Sequence, residues 1–194
     1  MPRTNENGTS SAAGELPPHV WTIGHSTRSE AEILALLGAH RIQAVADVRR
    51  FPGSRRQPQF NQPELRAWLA QNGIAYHWFE ALGGRRKALP DSPNTAWRNL
   101  SFRGYADYMA TPEFAQAFAR LLELAGQLRT ALMCAEMLWW RCHRSMIADA
   151  LCVRGIPVTH IVDESHTKAH PYTSAARVIA GSLSYEAPSQ PNLL

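Results

Sequence analysis

The chain has 194 residues, enough for one domain with a sizeable core plus tails, and 45% of them are apolar. No apolar run approaches the length of a membrane span, and the first twenty residues lack the apolar segment of a signal peptide, so a cytoplasmic protein with no membrane partner is expected. The charge is basic, +4, and almost wholly arginine, since lysine occurs only at 87 and 168. Arginine suits bidentate recognition of phosphate or carboxylate better than lysine does, and with six tryptophans the composition points to nucleic acid or phosphorylated ligands. Three cysteines, an odd number, fit a reducing compartment rather than a disulfide framework.

In chain order, residues 1–18 are rich in Ser, Gly, Asn and Pro and read as a disordered leader. A first strand spans His19 to Ser26, and Ser26 or Ser29 can cap a helix whose buried stripe is Ile33, Leu34, Leu36 and Leu37. A second strand, Ile42 to Arg50, gathers its charges at the carboxyl end. The loop from Phe51 onward leads to a helix over Glu64–Gln71, with Pro63 at its first turn and Asn72-Gly73 as its stop. A third strand, Ile74 to Leu82, runs into Gly83-Gly84-Arg85-Arg86-Lys87. Residues 88–101 read as a surface insertion, followed by helices around Gly104–Met109 and Pro112–Ala125. A short buried strand, Ala131–Cys134, precedes a helix over Ser145–Val153. A last strand covers Pro157–Glu164, and residues 186–194 form a polar tail. Strands alternating with helices define an α/β single domain spanning 19–185, a mostly parallel sheet of about five strands with helices on both faces. Five strands are too few to close a barrel.

The candidate site is the stretch between that fourth strand and the helix after it. It holds Cys134, Glu136, Trp139, Trp140, Arg141, Cys142, His143 and Arg144 where a strand ends and a helix begins. In open α/β sheets ligands sit beyond the carboxyl ends of strands, near helix N-termini that favour anions. Glu136 and Asp47 both follow apolar strands and can divide acid–base roles, with His143 or His25 as proton donor, if their environments separate their pKa values. The plain alternative is two ion pairs, Asp47 with Arg49 and Glu136 with Arg144. Cys142, flanked by Arg141, His143 and Arg144, has the surroundings of a low-pKa nucleophile, although packing alone explains a buried cysteine. Cys134 reads more simply as a core residue. A phosphatase-type loop fits poorly, because Cys134 to Arg141 is long and Glu136 brings a negative charge. Metal-ligand spacing is absent, and neither a metal nor another cofactor is expected.

The binding set is Gly24, His25 and Ser26 at the end of the first strand, then Arg49, Arg50, Arg55, Arg56 and Phe60 in the arginine loop. Gly83 and Gly84, Trp139, Trp140 and Arg144 complete it. Guanidiniums neutralise phosphates, and an aromatic ring stacks on a base. One of Trp139 and Trp140 is expected to line the pocket.

Thr22-Ile23-Gly24-His25-Ser26, Asp47-Val48-Arg49 with Pro52 and Ser54, Leu82-Gly83-Gly84, Cys134-Ala135-Glu136, Cys142-His143-Arg144 and Val158-Thr159-His160-Ile161 together resemble the family catalogued as domain of unknown function 488. The resemblance spans roughly residues 20–185. It implies an intracellular α/β domain with these motifs at one end of the sheet, and an association with DNA-base metabolism. The residues and the resemblance lead to an enzyme acting on nucleic acid, DNA favoured over RNA, that processes a base by glycosidic-bond hydrolysis or a related repair step. Two alternatives stand beside it: a cysteine-dependent enzyme on a small nucleotide or phosphorylated substrate, and a non-catalytic nucleic-acid-binding module. Oligomeric state is not legible.

Overall fold

The computed structural model describes residues 18–188. The expected leader falls almost wholly outside that span, as does the end of the polar tail. The described chain forms an α/β domain around a six-stranded sheet. Five strands are parallel: β1 (Val20–Gly24), β2 (Ala44–Asp47), β3 (Ala75–Trp78), β4 (Thr130–Cys134) and β5 (Val158–Ile161), while β6 (Thr167–Ala169) adds an antiparallel edge. Strand order is β3-β2-β4-β1-β5-β6, and a separate hairpin, β7 (Arg177–Ile179) with β8 (Ser182–Ser184), follows.

Side-chain alternation along the strands divides the core into two layers. Trp21, Ile23, Val45, Ala131 and Met133 face one side and pack on Ile33, Leu36 and Leu37 of α1 (Glu30–Ala39) and on Leu65, Trp68 and Leu69 of α2 (Gln62–Gln71). Val20, Ala44, Ala46, Leu132 and Cys134 face the other side, covered by α3 (Leu100–Met109), α4 (Pro112–Gln127) and α5 (Arg144–Val153). Ser29 caps α1 with a capping box to Glu32. α3 starts four residues earlier than Gly104, because Asn99 accepts the Ser101 and Phe102 N–H groups and so nucleates the first turn. The sixth strand and the hairpin had no readable pattern. β6 and β7 bury none of their residues, so no apolar alternation marks them.

β1 and β2 lead into α1 and α2 on one face, while β4, which lies between them, leads into α5 on the opposite face. Chain connections diverge at the carboxyl end of β4, opening a crevice there. Gly24 ends β1 in register with Cys134, and the loop after β4 passes directly over it. A Cβ on Gly24 would lie 2.0 Å from the Glu136 carbonyl oxygen. Gly38 is the contrast, an exposed helical glycine with open space around it. Gly24→Ala is therefore expected to destabilise by more than about 2 kcal/mol through overpacking, and Gly38→Ala to stabilise by about 0.5 kcal/mol. Urea unfolding midpoints of the two variants check the opposite signs.

Candidate functional site

A cleft of ≈ 710 Å³ opens at the carboxyl ends of β1, β2 and β4. Its floor is a pair of thiols. Cys134 ends β4, Cys142 lies just before α5, and their sulfurs are 2.7 Å apart; both side chains are buried. Arg144, in the first turn of α5, turns back beneath them. Its Nη1 donates to the Cys134 sulfur at 2.6 Å and to the Glu136 carbonyl, and its Nη2 donates to the Met137 carbonyl at 2.7 Å. The guanidinium is only 1% exposed and has no carboxylate partner among the described residues. A buried cation without an anion costs several kcal/mol, so the complementary charge falls to a thiolate.

Cys142 is the thiol placed to carry it. Burial pushes its pKa up, but hydrogen bonds from Cys134 and from the Arg144 side chain and backbone, with the Arg144 charge, bring it down to about 7. Burial and the neighbouring Cys142 sulfur instead push Cys134 up, keeping it a thiol that donates to its partner. His143 completes the group. Its Nε2 lies 2.9 Å from the Val48 carbonyl, which can only accept, so Nε2 carries the proton. Burial lowers the His143 pKa, so the imidazole is neutral and Nδ1 presents a lone pair to the Cys142 sulfur 3.5 Å away. This is a thiol and base in contact. Gly84 makes room for the ring, since a Cβ there would stand 2.9 Å from Nδ1.

Asp47 occupies a different place from the expected one. It is fully buried and its carboxylate is consumed by Arg49, which donates from Nε at 2.8 Å and Nη2 at 2.6 Å, and by the Tyr76 hydroxyl at 2.8 Å. Asp47 does not line the cleft; it anchors Arg49, whose Nη1 then donates to His25 Nε2 at 3.2 Å. His25 is neutral, because burial and the Arg49 charge lower its pKa to about 4. Glu136 is the carboxylate on the cleft wall, exposed, with Oε1 accepting the Leu138 N–H; Arg144 binds its backbone carbonyl, not its side chain.

Of the other expected residues, His25, Ser26, Arg49, Arg50, Arg56 and Gly84 line the cleft, and Arg55 is exposed outside the lining. Phe60 is no stacking platform for a ligand. It is fully buried, its ring 4.1 Å from that of His25, and serves as the support beneath the histidine. Gly83 packs on the Arg50 backbone, where a Cβ would come within 2.7 Å. Neither tryptophan lines the cleft. Trp139 stacks on His160 at 4.1 Å, and Trp140 is exposed.

The sequence reading missed Cys134 as a partner for Cys142; the signal was the β4 terminus, which fixes one sulfur where the loop returns the other. Of the two phenylalanines of the arginine loop it is Phe51 that is 60% exposed on the cleft, with the Arg50 and Arg85 guanidiniums 5.4 and 5.9 Å from its ring. Asn99, Phe102 and Tyr105 of the supposed insertion and the helix after it form the far wall.

A second buried network supports the cleft from behind. The Thr22 hydroxyl is 2.7 Å from His160 Nδ1, His160 Nε2 is 2.9 Å from His170 Nδ1, and His170 Nε2 is 2.9 Å from Asp149. Asp149 also accepts from the Thr173 backbone and hydroxyl and from Tyr185. The chain of donors runs from Thr22 to Asp149 and holds His160 flat against Trp139, in the middle of the loop that carries the thiols.

The matching family model is "Domain of unknown function DUF488", over residues 29–151, and the chain belongs to that family. The match is narrower than the resemblance over 20–185: β1 and the His25 after it, β5 with His160, and His170 just beyond β6 lie outside it. Searches of curated proteins and of solved structures find no match. Among the described residues no helix is long and apolar enough to cross a membrane.

The two neutral histidines set an acid limit. Burial, followed by His170 and Arg144, lowers the His160 pKa to about 3. An unfolded imidazole takes up a proton below about pH 6.5, whereas folded His25 and His160 resist it down to about pH 4 and 3. Across that window the unfolded chain binds more protons, so stability falls as pH falls. Urea midpoints should drop steadily from pH 6.5 to 4.5, and His25→Asn should flatten the slope.

Proposed function

We propose that the protein is a cysteine-dependent enzyme acting on a small phosphorylated substrate of nucleotide type, with Cys142 as nucleophile and His143 as its base. The observation that carries this reading is the buried Arg144 guanidinium, which has no carboxylate partner among the described residues and lies against the thiol pair, where a thiolate would balance it. In the reaction Cys142 ionises against the Arg144 charge, its proton passing to His143 Nδ1, and the thiolate attacks an electrophilic centre of the substrate. The leaving group departs with the bonding pair and receives the proton back from His143, and water then releases the product from the sulfur. Substrate charge follows from the walls. Arg49, Arg50, Arg56, Arg85 and Arg141 line the cleft against the single carboxylate of Glu136. Arg49 is already paired with Asp47, which leaves the others to attract an anion. Phe51 offers a flat exposed ring for a base.

A second reading keeps the same rim for the phosphates of a nucleic-acid strand and gives the chemistry to Glu136, as in hydrolysis of a base from DNA. It is favoured by the exposure of Glu136 on the cleft wall. It lacks a second cleft carboxylate, since Asp47 is enclosed.

Iodoacetamide modification separates the readings without knowledge of the substrate. Cys142 should alkylate with a rate that rises through a midpoint near pH 7, matching its lowered pKa. A nucleoside monophosphate should slow that reaction several-fold, and Arg56→Ala with Arg85→Ala should remove the protection. A Cys142 that alkylates more slowly than a free thiol at neutral pH would end the thiol reading. On any substrate found, Cys142→Ser should abolish turnover and Glu136→Gln reduce it only modestly; the reverse order establishes the carboxylate reading.

A further inference from the structure

We infer that Cys134 and Cys142 form a redox couple, in which Cys142 reduces a small hydroperoxide and Cys134 resolves the product as an intramolecular disulfide. This goes beyond group transfer at the same site and rests on the contact of the two sulfurs, not on the identity of any phosphorylated substrate.

The sulfurs are 2.7 Å apart in the thiol state. A disulfide bond measures about 2.05 Å, so oxidation needs only a small approach of two side chains already in contact. The two cysteines have unequal surroundings. Cys142 sits at the N-terminus of α5 with the His143 base beside it, whereas Cys134 is fixed at the end of a central strand. Both line the cleft, which admits a small oxidant while their burial keeps a bulky one away. The third cysteine, Cys152, lies one residue before the end of α5, and neither sulfur of the pair bonds to it.

In the first step the Cys142 thiolate attacks the hydroperoxide oxygen. The O–O bond breaks, an S–O bond forms, the alkoxide or hydroxide leaves with the bonding pair and takes a proton, and Cys142 becomes a sulfenic acid. In the second step the Cys134 sulfur attacks the Cys142 sulfur. The S–O bond breaks, the departing hydroxide takes the Cys134 proton, and water leaves behind the disulfide. An external dithiol returns both thiols and is itself oxidised by two electrons.

Arg144 sets the balance between the two states. In the reduced form its buried charge touches the Cys134 sulfur and stabilises a thiolate on the adjoining Cys142, and in the disulfide that charge loses its anion. The reduced form is thus favoured, and the disulfide is readily reduced by dithiols.

The test is stoichiometric hydrogen peroxide on the full chain at pH 7, followed by intact-mass and non-reducing peptide mapping. The expected result is loss of two hydrogens, a Cys134–Cys142 cross-link, Cys152 still free for alkylation, and full reversal by dithiothreitol. Cys134→Ser should stop at a Cys142 sulfenic acid captured by dimedone. In a glutathione redox buffer, Arg144→Met, if folded by circular dichroism, should shift the thiol–disulfide ratio about tenfold toward disulfide. Over-oxidation of Cys142 to sulfinic acid with Cys134 still free would overturn the inference, as would a cross-link through Cys152 or no oxidation at all. Failure here with rapid alkylation of Cys142 refutes only the couple. Failure of alkylation refutes the thiol reading of the site.

Discussion

Everything at the carboxyl end of this sheet is arranged around one buried positive charge. Arg144 leaves the first turn of α5 and is almost fully enclosed, with two backbone carbonyls and a sulfur as its partners. Those carbonyls belong to Glu136 and Met137, so the guanidinium sets the path of the loop between β4 and α5. That path is possible only because β1 ends in Gly24, which lets the Glu136 carbonyl lie against its backbone. On the far side the loop is held by Trp139 stacked on His160, which is itself oriented through His170 to Asp149. The sulfur of Cys142 is thus placed by a cation below, a glycine beside it and a ring stack behind. Loss of the guanidinium would leave two carbonyls and the Cys134 sulfur buried without their donor.

The arginines of the site divide by what surrounds them. Arg49 is fixed to Asp47 in a two-pronged pair and extends a third contact to His25, so its charge is largely spent inside the fold. Arg144 is spent on sulfur and carbonyls. Arg56 is exposed on the cleft, and Arg50 and Arg85 flank the Phe51 ring there. The three histidines near the pocket add no charge, because burial lowers the pKa values of His25, His143 and His160. The electrostatic character of the cleft comes from arginines at its rim, and the neutral imidazole of His143 lies on its floor.

Much of this order was legible in the residues. Strands alternating with helices pointed to a mostly parallel sheet covered on both faces, and the charged and polar residues at strand ends pointed to one end of that sheet. The errors have physical causes. Asp47 follows a buried strand as Glu136 does, but sequence cannot show that Tyr76, one strand away, and Arg49 close over it. Phe60 sits in a loop of arginines and reads as a stacking ring, yet it turns inward under His25. Cys134 was read as core, and by burial it is; its contact with Cys142 depends on how eight residues of loop return to the strand end. β6 and β7 have no buried residue, and periodicity carries no information where neither face is covered.

The same geometry ties the charge state of the sulfurs to what the cleft can hold. In the reduced form the thiolate cancels the field of Arg144 at the cleft floor, and an anion entering past the rim arginines meets a neutral pair. Once the sulfurs are joined, the thiolate is gone while Arg144 stays ionised, since a guanidinium does not release its proton at any physiological pH. The floor then gains one net positive charge in a region of low dielectric, where a charge is felt more strongly than at the surface. An anionic ligand and a reduced thiol pair therefore compete for the same guanidinium. On the proposed couple, binding and oxidation state would be linked through Arg144, which the fold encloses without a carboxylate partner among the described residues.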